Sequence, residues 1–169
     1  GAATLKRVAL ELGGKSAMIV CEDADLDQAA FAGLIHLTNQ CGQGCVLQTR
    51  QLVHNTIKDQ YIEMLKAMAS QVKLGNPADP ETGMGPLISA AQRERVLAYI
   101  EQGKRDGNSL VYGGDIPANM ERGFFIEPTI FDCPSNSTAI AQEEIFGPVV
   151  CVIGFDTEEE AIAIANDSQ

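Results

Sequence analysis

Two hydrophobic periods alternate along this chain, and their alternation constrains the fold more than any other feature. Short apolar runs of strand-like composition are separated by amphipathic stretches with the helical repeat. Strands and helices that alternate in this way form a largely parallel sheet covered by helices, so the sequence predicts an α/β fold with a layered parallel sheet. The predicted strands cover residues 7–11, 17–21, 49–54, 109–112, 125–131 and 149–155, and the predicted helices cover residues 26–39, 56–73, 90–106 and 158–166.

Length and charge limit the classes of protein to which the chain can belong. The 169 residues, 45% of them hydrophobic, suffice for one domain with a substantial core. A net charge of −11 disfavours binding to nucleic acid or to an anionic membrane, because both require basic patches. No apolar run approaches the roughly 20 residues that cross a bilayer, and the first residues lack the order of a signal peptide. We therefore expect a soluble, cytoplasmic protein without nucleic-acid or membrane partners.

The cysteines are odd in number and lack the paired spacing of a metal site. This argues against both a disulfide framework and structural zinc, and it predicts reduced thiols. Three of them stand among apolar or strand-like residues, where a free cysteine usually behaves as a small buried hydrophobic residue. Those three are Cys21, Cys133 and Cys151, and the other two are Cys41 and Cys45.

Cys45 ends a glycine-rich loop, residues 39–45, between a predicted helix and a predicted strand. A cysteine nucleophile acts as the thiolate and needs a nearby base or a lowered pKa, together with backbone donors for the oxyanion that forms on attack. A catalytic thiol and an ordinary loop thiol both fit the loop when it is considered alone. Cys41 is either a bystander or a second thiol that protects or oxidatively traps Cys45.

Two carboxylates also stand where chemistry is possible. Glu11 ends an apolar stretch directly before Gly13 and Gly14, and desolvation in such a context would make it a stronger base. A plain strand-end glutamate is the alternative. Glu144 and Phe146 precede a glycine-proline turn, where they could meet a ribose hydroxyl and a flat cofactor, or simply form a turn with a buried ring.

Two helix starts carry a capping pattern. Ser89 and Thr157 are each followed three residues later by a side chain that can reach back, Gln92 and Glu160 respectively.

Taken together, the three stretches resemble the aldehyde dehydrogenase superfamily. Residues 10–16, Leu-Glu-Leu-Gly-Gly-Lys-Ser, resemble its glutamate motif, residues 42–45, Gly-Gln-Gly-Cys, its cysteine motif, and residues 144–148, Glu-Ile-Phe-Gly-Pro, its cofactor-side motif. Their order and the 34-residue separation of Glu11 from Cys45 are also similar. Further family-like stretches cover residues 74–77, 84–88 and 123–129, so the resemblance runs over nearly the whole chain.

The resemblance implies an aldehyde oxidoreductase with NAD or NADP as cofactor. Cys45 is then the nucleophile that adds to the aldehyde, and its own N–H is one oxyanion donor. Glu11 is the base that activates water to hydrolyse the thioester. On the cofactor side, Glu144 holds the nicotinamide ribose and Phe146 lies beside it. Leu12 and Gly13 are also expected to contact the cofactor.

The resemblance further implies that residues 1–169 are a partial, cysteine-bearing catalytic domain. The superfamily's dinucleotide-binding domain lies largely before the glutamate motif, and only ten residues precede Glu11. The parent enzyme is expected to be a homo-oligomer, and the isolated chain to bind no cofactor tightly and to be inactive. One alternative is a CoA-acylating or phosphate-linked member, against which Glu11 argues because no hydrolytic base is needed there. Another is a non-enzymatic remnant of the scaffold.

Overall fold

A five-stranded sheet with helices on both faces forms the centre of the computed structural model, which describes residues 1–120 and 122–168. The sheet order is β1-β2-β5-β4-β3, and every neighbouring pair is parallel except β3 and β4. The predicted α/β class with a mainly parallel sheet is confirmed. The strands are β1 (Ala17–Val20), β2 (Arg50–His54), β3 (Ser109–Tyr112), β4 (Thr129–Cys133) and β5 (Val149–Phe155). The helices are α1 (Leu26–Thr38), α2 (Lys58–Ala69), α3 (Ala90–Arg105), α4 (Ala139–Gln142) and α5 (Glu158–Asn166).

The central strand β5 is apolar on both sides, which explains why helices cover both faces. Successive side chains of a strand point to opposite faces. Val150 and Val152 accordingly join one hydrophobic cluster with buried residues of α1 and α2, whereas Cys151 and Ile153 join the other with α3, α4 and α5. A strand buried on both faces appears in the sequence as one continuous apolar run, and β5 has the predicted bounds.

Two strand predictions need correction. The strand predicted over residues 7–11 is wrong: residues 5–16 form no strand, and residues 5–12 are exposed, because this stretch has no neighbouring strand to accept its backbone hydrogen bonds. The strand predicted over residues 125–131 begins only at Thr129, since Pro128 has no N–H for a ladder. The short helix α4 was not predicted.

Both predicted helix starts are present, although the reciprocal bond differs from the expectation. The hydroxyls of Ser89 and Thr157 each accept from the backbone N–H three residues later, at 3.2 Å. Glu160 reaches back past the cap to the N–H of Asp156 at 2.8 Å. Gln92 does not reach back, because its amide bonds elsewhere in the fold.

All five cysteines are free, with Cys133 and Cys151 buried and Cys21 half-buried. Within residues 1–120 and 122–168, no helix has the length and apolarity to cross a membrane. The same ranges contain no group of three histidine, cysteine, aspartate or glutamate residues that could hold a metal ion.

Candidate active site

The three sequence motifs meet at one edge of the sheet. Residues 10–16 lead into β1, residues 39–45 precede β2, and residues 143–148 lead into β5. These strands are parallel neighbours in the order β1-β2-β5, and their registers align the three starting points to within two residues. Adjacent strands lie about 4.8 Å apart. Motifs far apart in sequence are therefore side by side at the amino-terminal edge of the sheet.

The loop before Cys45 has an unusual backbone. Gln40, Cys41 and Gly42 have φ values of 51°, 58° and 71°, three successive left-handed residues of which only the last is glycine. Such conformations cost energy in non-glycine residues and cluster at functional sites. They carry Gly42 so close to the carbonyl of Gly147 that a Cβ on Gly42 would collide with it. The cysteine loop is thereby seated directly on the turn before β5.

Cys45 is accessible in this loop. It occupies the second position of a turn that is closed by the N–H of Leu47, which donates to the carbonyl of Gly44 at 3.2 Å. Its side chain is exposed, and its backbone N–H has no backbone acceptor among the described residues. The thiol of Cys45 is therefore accessible, and its N–H makes no backbone hydrogen bond that an incoming acceptor would have to replace.

Cys41 is held away from this opening. Its thiol donates to the carbonyls of Gly85 and Pro86 at 3.2 and 3.4 Å, and burial raises its pKa. The side chain of Gln43 accepts from the N–H of Ile88 at 3.1 Å. One of the further family-like stretches, residues 84–88, thus anchors the cysteine loop through Cys41 and Gln43.

The turn before β5 carries the predicted cofactor residues. Phe146 has a φ of 60°, a left-handed conformation that is rare for an aromatic residue, and its ring is 38% exposed. The half-buried Glu144 places its carboxylate against Gly13, where a Cβ would overlap it. The structure therefore brings Gly13 and Glu144 together, and it places both beside the cysteine loop.

A buried cation and a buried carboxylate oxygen face this edge without hydrogen-bond partners. Lys15 is only 4% exposed, and neither its Nζ nor Oε1 of Glu144 has a partner among the described residues. Burial lowers the pKa of the Lys15 ammonium, because desolvation disfavours its charged form. A crevice of about 360 Å³ lies here, lined on one side by Gly13 and Lys15 and on the other by Glu143 and Glu144.

Glu11 and Leu12 lie outside this crevice, on the exposed segment that precedes it. Glu11 is exposed, and the neighbouring Leu10 and Leu12 are each 71% exposed. The apolar surroundings expected for Glu11 are therefore not formed by the described residues. Its role as base, and the contact of Leu12 with a cofactor, remain predictions.

Sequence reasoning missed three side chains at this edge. Lys15 follows the glutamate motif's glycines without a predicted role, and the pattern around Gln92 predicts only a helix cap. Arg95 had no signal at all, because a polar residue on a helix normally faces solvent. Gln92 and Arg95 both bond to the turn before β5.

Comparison with known proteins places this arrangement in a family. The model of the aldehyde dehydrogenase family matches residues 1–169. A betaine aldehyde dehydrogenase from Rhizobium johnstonii is 46% identical over an alignment of 169 positions, which covers 99% of this chain and 35% of the relative. One from Brucella ovis is 47% identical over 167 residues, 98% of this chain and 34% of that protein. The chain thus spans about a third of the length of these relatives.

Solved structures give the same result. The betaine aldehyde dehydrogenase of Staphylococcus aureus in complex with NAD+ matches with a TM-score of 0.94 and 41% identity, over 99% of this chain and 34% of that chain. An aldehyde dehydrogenase from Bacillus cereus in complex with NAD+ matches with a TM-score of 0.92 and 45% identity, over the same shares. Since the family match covers every residue, and the strand order explains why its three motifs share one edge, the chain belongs to the aldehyde dehydrogenase family.

Proposed function

We propose that this chain carries the nucleophile and the general base of an enzyme that oxidises an aldehyde to a carboxylic acid with NAD(P)+. One observation supports this function best: an exposed thiol, on a strained loop, is seated against the turn that presents Glu144 and Phe146. A structural scaffold has no need of an exposed cysteine in that position.

In the proposed reaction, the thiolate of Cys45 adds to the aldehyde carbonyl and forms a thiohemiacetal. The backbone N–H of Cys45, which has no backbone acceptor among the described residues, donates to the oxyanion. NAD(P)+, when bound, supplies the acceptor for the hydride that leaves the aldehyde carbon. The oxygen's electron pair then re-forms a carbonyl, and the acyl group remains on Cys45 as a thioester.

Glu11 acts in the second half of the reaction. It removes a proton from water, the hydroxide attacks the acyl carbon, and the carbon–sulfur bond breaks to release the carboxylic acid and the thiolate. This role is supported by strand order, because the segment that carries Glu11 leads into β1, the neighbour of the strand that follows the cysteine loop. An acylating enzyme would instead transfer the acyl group to CoA or phosphate.

The residues at the edge fit the nicotinamide end of the cofactor. Oε1 of Glu144 is buried without a partner, and a ribose hydroxyl is a donor that would satisfy it. The partly exposed ring of Phe146 offers a flat apolar surface beside that position. Gly13 leaves room for the carboxylate, and Leu12 is adjacent. The related enzymes solved with NAD+ support the same class of cofactor.

The test is aldehyde-dependent formation of NADH or NADPH, followed by absorbance, in the complete enzyme that contains this chain. Betaine aldehyde is the first substrate to try because the relatives carry that name, with a short aliphatic aldehyde for comparison. The wild type should oxidise the aldehyde without added CoA or phosphate, and the Cys45→Ser variant should not. A strict requirement for CoA or phosphate would contradict the hydrolytic function and favour the acylating alternative.

The isolated chain should neither turn over nor bind the cofactor tightly. Glu144 and Phe146 contact only one end of the dinucleotide. The first residues expose several large apolar side chains, which favours self-association: Leu5, Val8, Leu10 and Leu12 are 92%, 65%, 71% and 71% exposed. Calorimetric titration with NAD+ and light scattering over a concentration series test both expectations. Micromolar cofactor affinity in a strictly monomeric chain would contradict them.

A further inference from the structure

Helix α3 reaches the candidate site through two polar side chains that the proposed reaction does not use. Nε2 of Gln92 donates to the carbonyl of Phe146 at 2.7 Å and to that of Ile145 at 3.2 Å. Nη2 of Arg95 donates to the carbonyl of Glu144 at 3.0 Å. Three successive carbonyls of one turn are thus bound by one helix. We call Gln92 and Arg95 the α3 clamp.

The helix that carries the clamp is itself fixed. Ser89 caps its first turn, and Val96 is fully buried against Gly147, so the side of α3 that bears Gln92 faces the turn. Arg95 lies over the ring of Tyr99, with its guanidinium carbon 5.0 Å from the ring centre. The hydroxyl of Tyr99 in turn donates to Oε2 of Glu143 at 2.6 Å.

The clamp acts on the part of the turn whose backbone is unfavourable. Phe146 keeps a φ of 60° only if surrounding contacts compensate for its cost, and the Phe146 carbonyl receives the shorter of the Gln92 bonds. On the other side of the turn, Gly147 lies against Gly42 of the cysteine loop. The turn is therefore packed between α3 and the loop that bears Cys45.

We propose that Gln92 and Arg95 are positioning residues, which hold Glu144 and Phe146 in the conformation that receives the nicotinamide end of the cofactor. This role rests on the proposed function. The alternative, a purely structural contact between helix and loop, would affect folding without affecting cofactor affinity. The two roles are separable because the clamp bonds to the turn only through backbone carbonyls and makes no hydrogen bond to Cys45 or Glu11.

The first variant is Gln92→Met, which keeps the length of the side chain and removes its donors. Loss of the short hydrogen bond to Phe146 and the longer one to Ile145 should shift the opening equilibrium of the turn by about tenfold. Chymotrypsin cleavage after Phe146 should accelerate about tenfold, because proteolysis follows the population of the opened turn. The matched control is Gln102→Met on the same helix, where the amide bonds to Asp106 and Arg105 and not to the turn, and it should leave cleavage unchanged.

In the complete enzyme, Gln92→Met should raise the KM for NAD+ about tenfold and change kcat by less than about twofold. Arg95→Met should do the same more weakly, and Arg95→Lys should recover part of the affinity because it keeps a charged donor. A merely structural contact would lower the melting temperature and the active fraction, with the KM unchanged.

The outcomes separate the two proposals. Faster cleavage together with a raised KM supports the positioning role. Unchanged cleavage overturns the clamp, and faster cleavage with an unchanged KM overturns its role toward the cofactor. If the wild type shows no aldehyde-dependent NADH formation, the proposed function fails, and the positioning role toward the cofactor fails with it, whatever the cleavage rates.

Discussion

Replacing Arg50 with methionine should destabilise the chain by about 3 kcal/mol. The Arg50 side chain is 1% exposed and makes four hydrogen bonds: Nε to the carbonyl of Lys15 at 2.7 Å, Nη1 to Oδ1 of Asn136 and to the carbonyl of Ile164, both at 2.9 Å, and Nη2 to the carbonyl of Ala165 at 2.8 Å. It therefore joins the glutamate-motif segment to the end of α5. The last two carbonyls also belong to a helix C-terminus, which favours a cation.

The magnitude follows from which acceptors water can reach. The bonds to Lys15 and Asn136 are buried, and each buried acceptor left without a partner costs about 1–3 kcal/mol. The carbonyls of Ile164 and Ala165 are only part-buried, so water replaces most of their loss. Relief from burying a charge offsets part of the cost, which leaves about 3 kcal/mol. That is a large share of the roughly 5–15 kcal/mol that stabilise a typical domain.

Urea unfolding followed by circular dichroism measures the effect. The free energy of unfolding falls with urea concentration at about 2 kcal/mol/M. Arg50→Met should therefore lower the urea concentration at the unfolding midpoint by about 1.5 M and leave that slope unchanged. Arg50→Lys should recover at most half of the lost free energy of unfolding, since one ammonium cannot span four acceptors. Arg105→Met is the control, because Arg105 is exposed and bonds only to Gln102, and it should stay within about 0.5 kcal/mol of the wild type. A loss below about 1 kcal/mol for Arg50→Met, or a fully stable Arg50→Lys, would refute the reasoning.

Three further predictions concern the site. Under limiting iodoacetamide, peptide mapping should find Cys45 alkylated first, because Cys133 and Cys151 are buried; earlier labelling of either would contradict the assignment of the nucleophile. In the complete enzyme, Glu11→Gln should keep a pre-steady-state burst of NADH and slow the steady rate, whereas loss of the burst would place Glu11 in the activation of Cys45. Lys15→Met should raise the free energy of unfolding by about 1–3 kcal/mol at pH 7, because it removes a buried donor that has no partner among the described residues. Because burial lowers the pKa of Lys15, the folded wild type binds fewer protons than the unfolded chain, and its stability therefore rises as the pH approaches 10.5. The stability gained by Lys15→Met should shrink over the same pH range. A gain that does not depend on pH would argue against the buried amine as its cause.

The local elements were readable from sequence because their causes are local. The continuous apolar run of β5 requires burial on both faces wherever the strand lies, and the hydroxyls of Ser89 and Thr157 bond within three residues of themselves. The motif around Cys45 is likewise a short run, so the family was recognisable without a structure, and its membership is confirmed.

The arrangement of the site depended on contacts that no local pattern contains. Strand order decides that three motifs share one edge, and order follows from which strands find partners across more than a hundred residues. The absence of a partner likewise left residues 7–11 outside the sheet, although their apolar pattern was that of a strand. Groups distant in sequence stabilise both features: Gln92 bonds to the left-handed Phe146. The end of α5 supplies two of the acceptors for the buried Arg50. Sequence by itself determined most of the strands and helices and the family to which the chain belongs. Only the tertiary structure determined which segments meet, because burial and hydrogen bonding between distant segments exist only once the chain is folded.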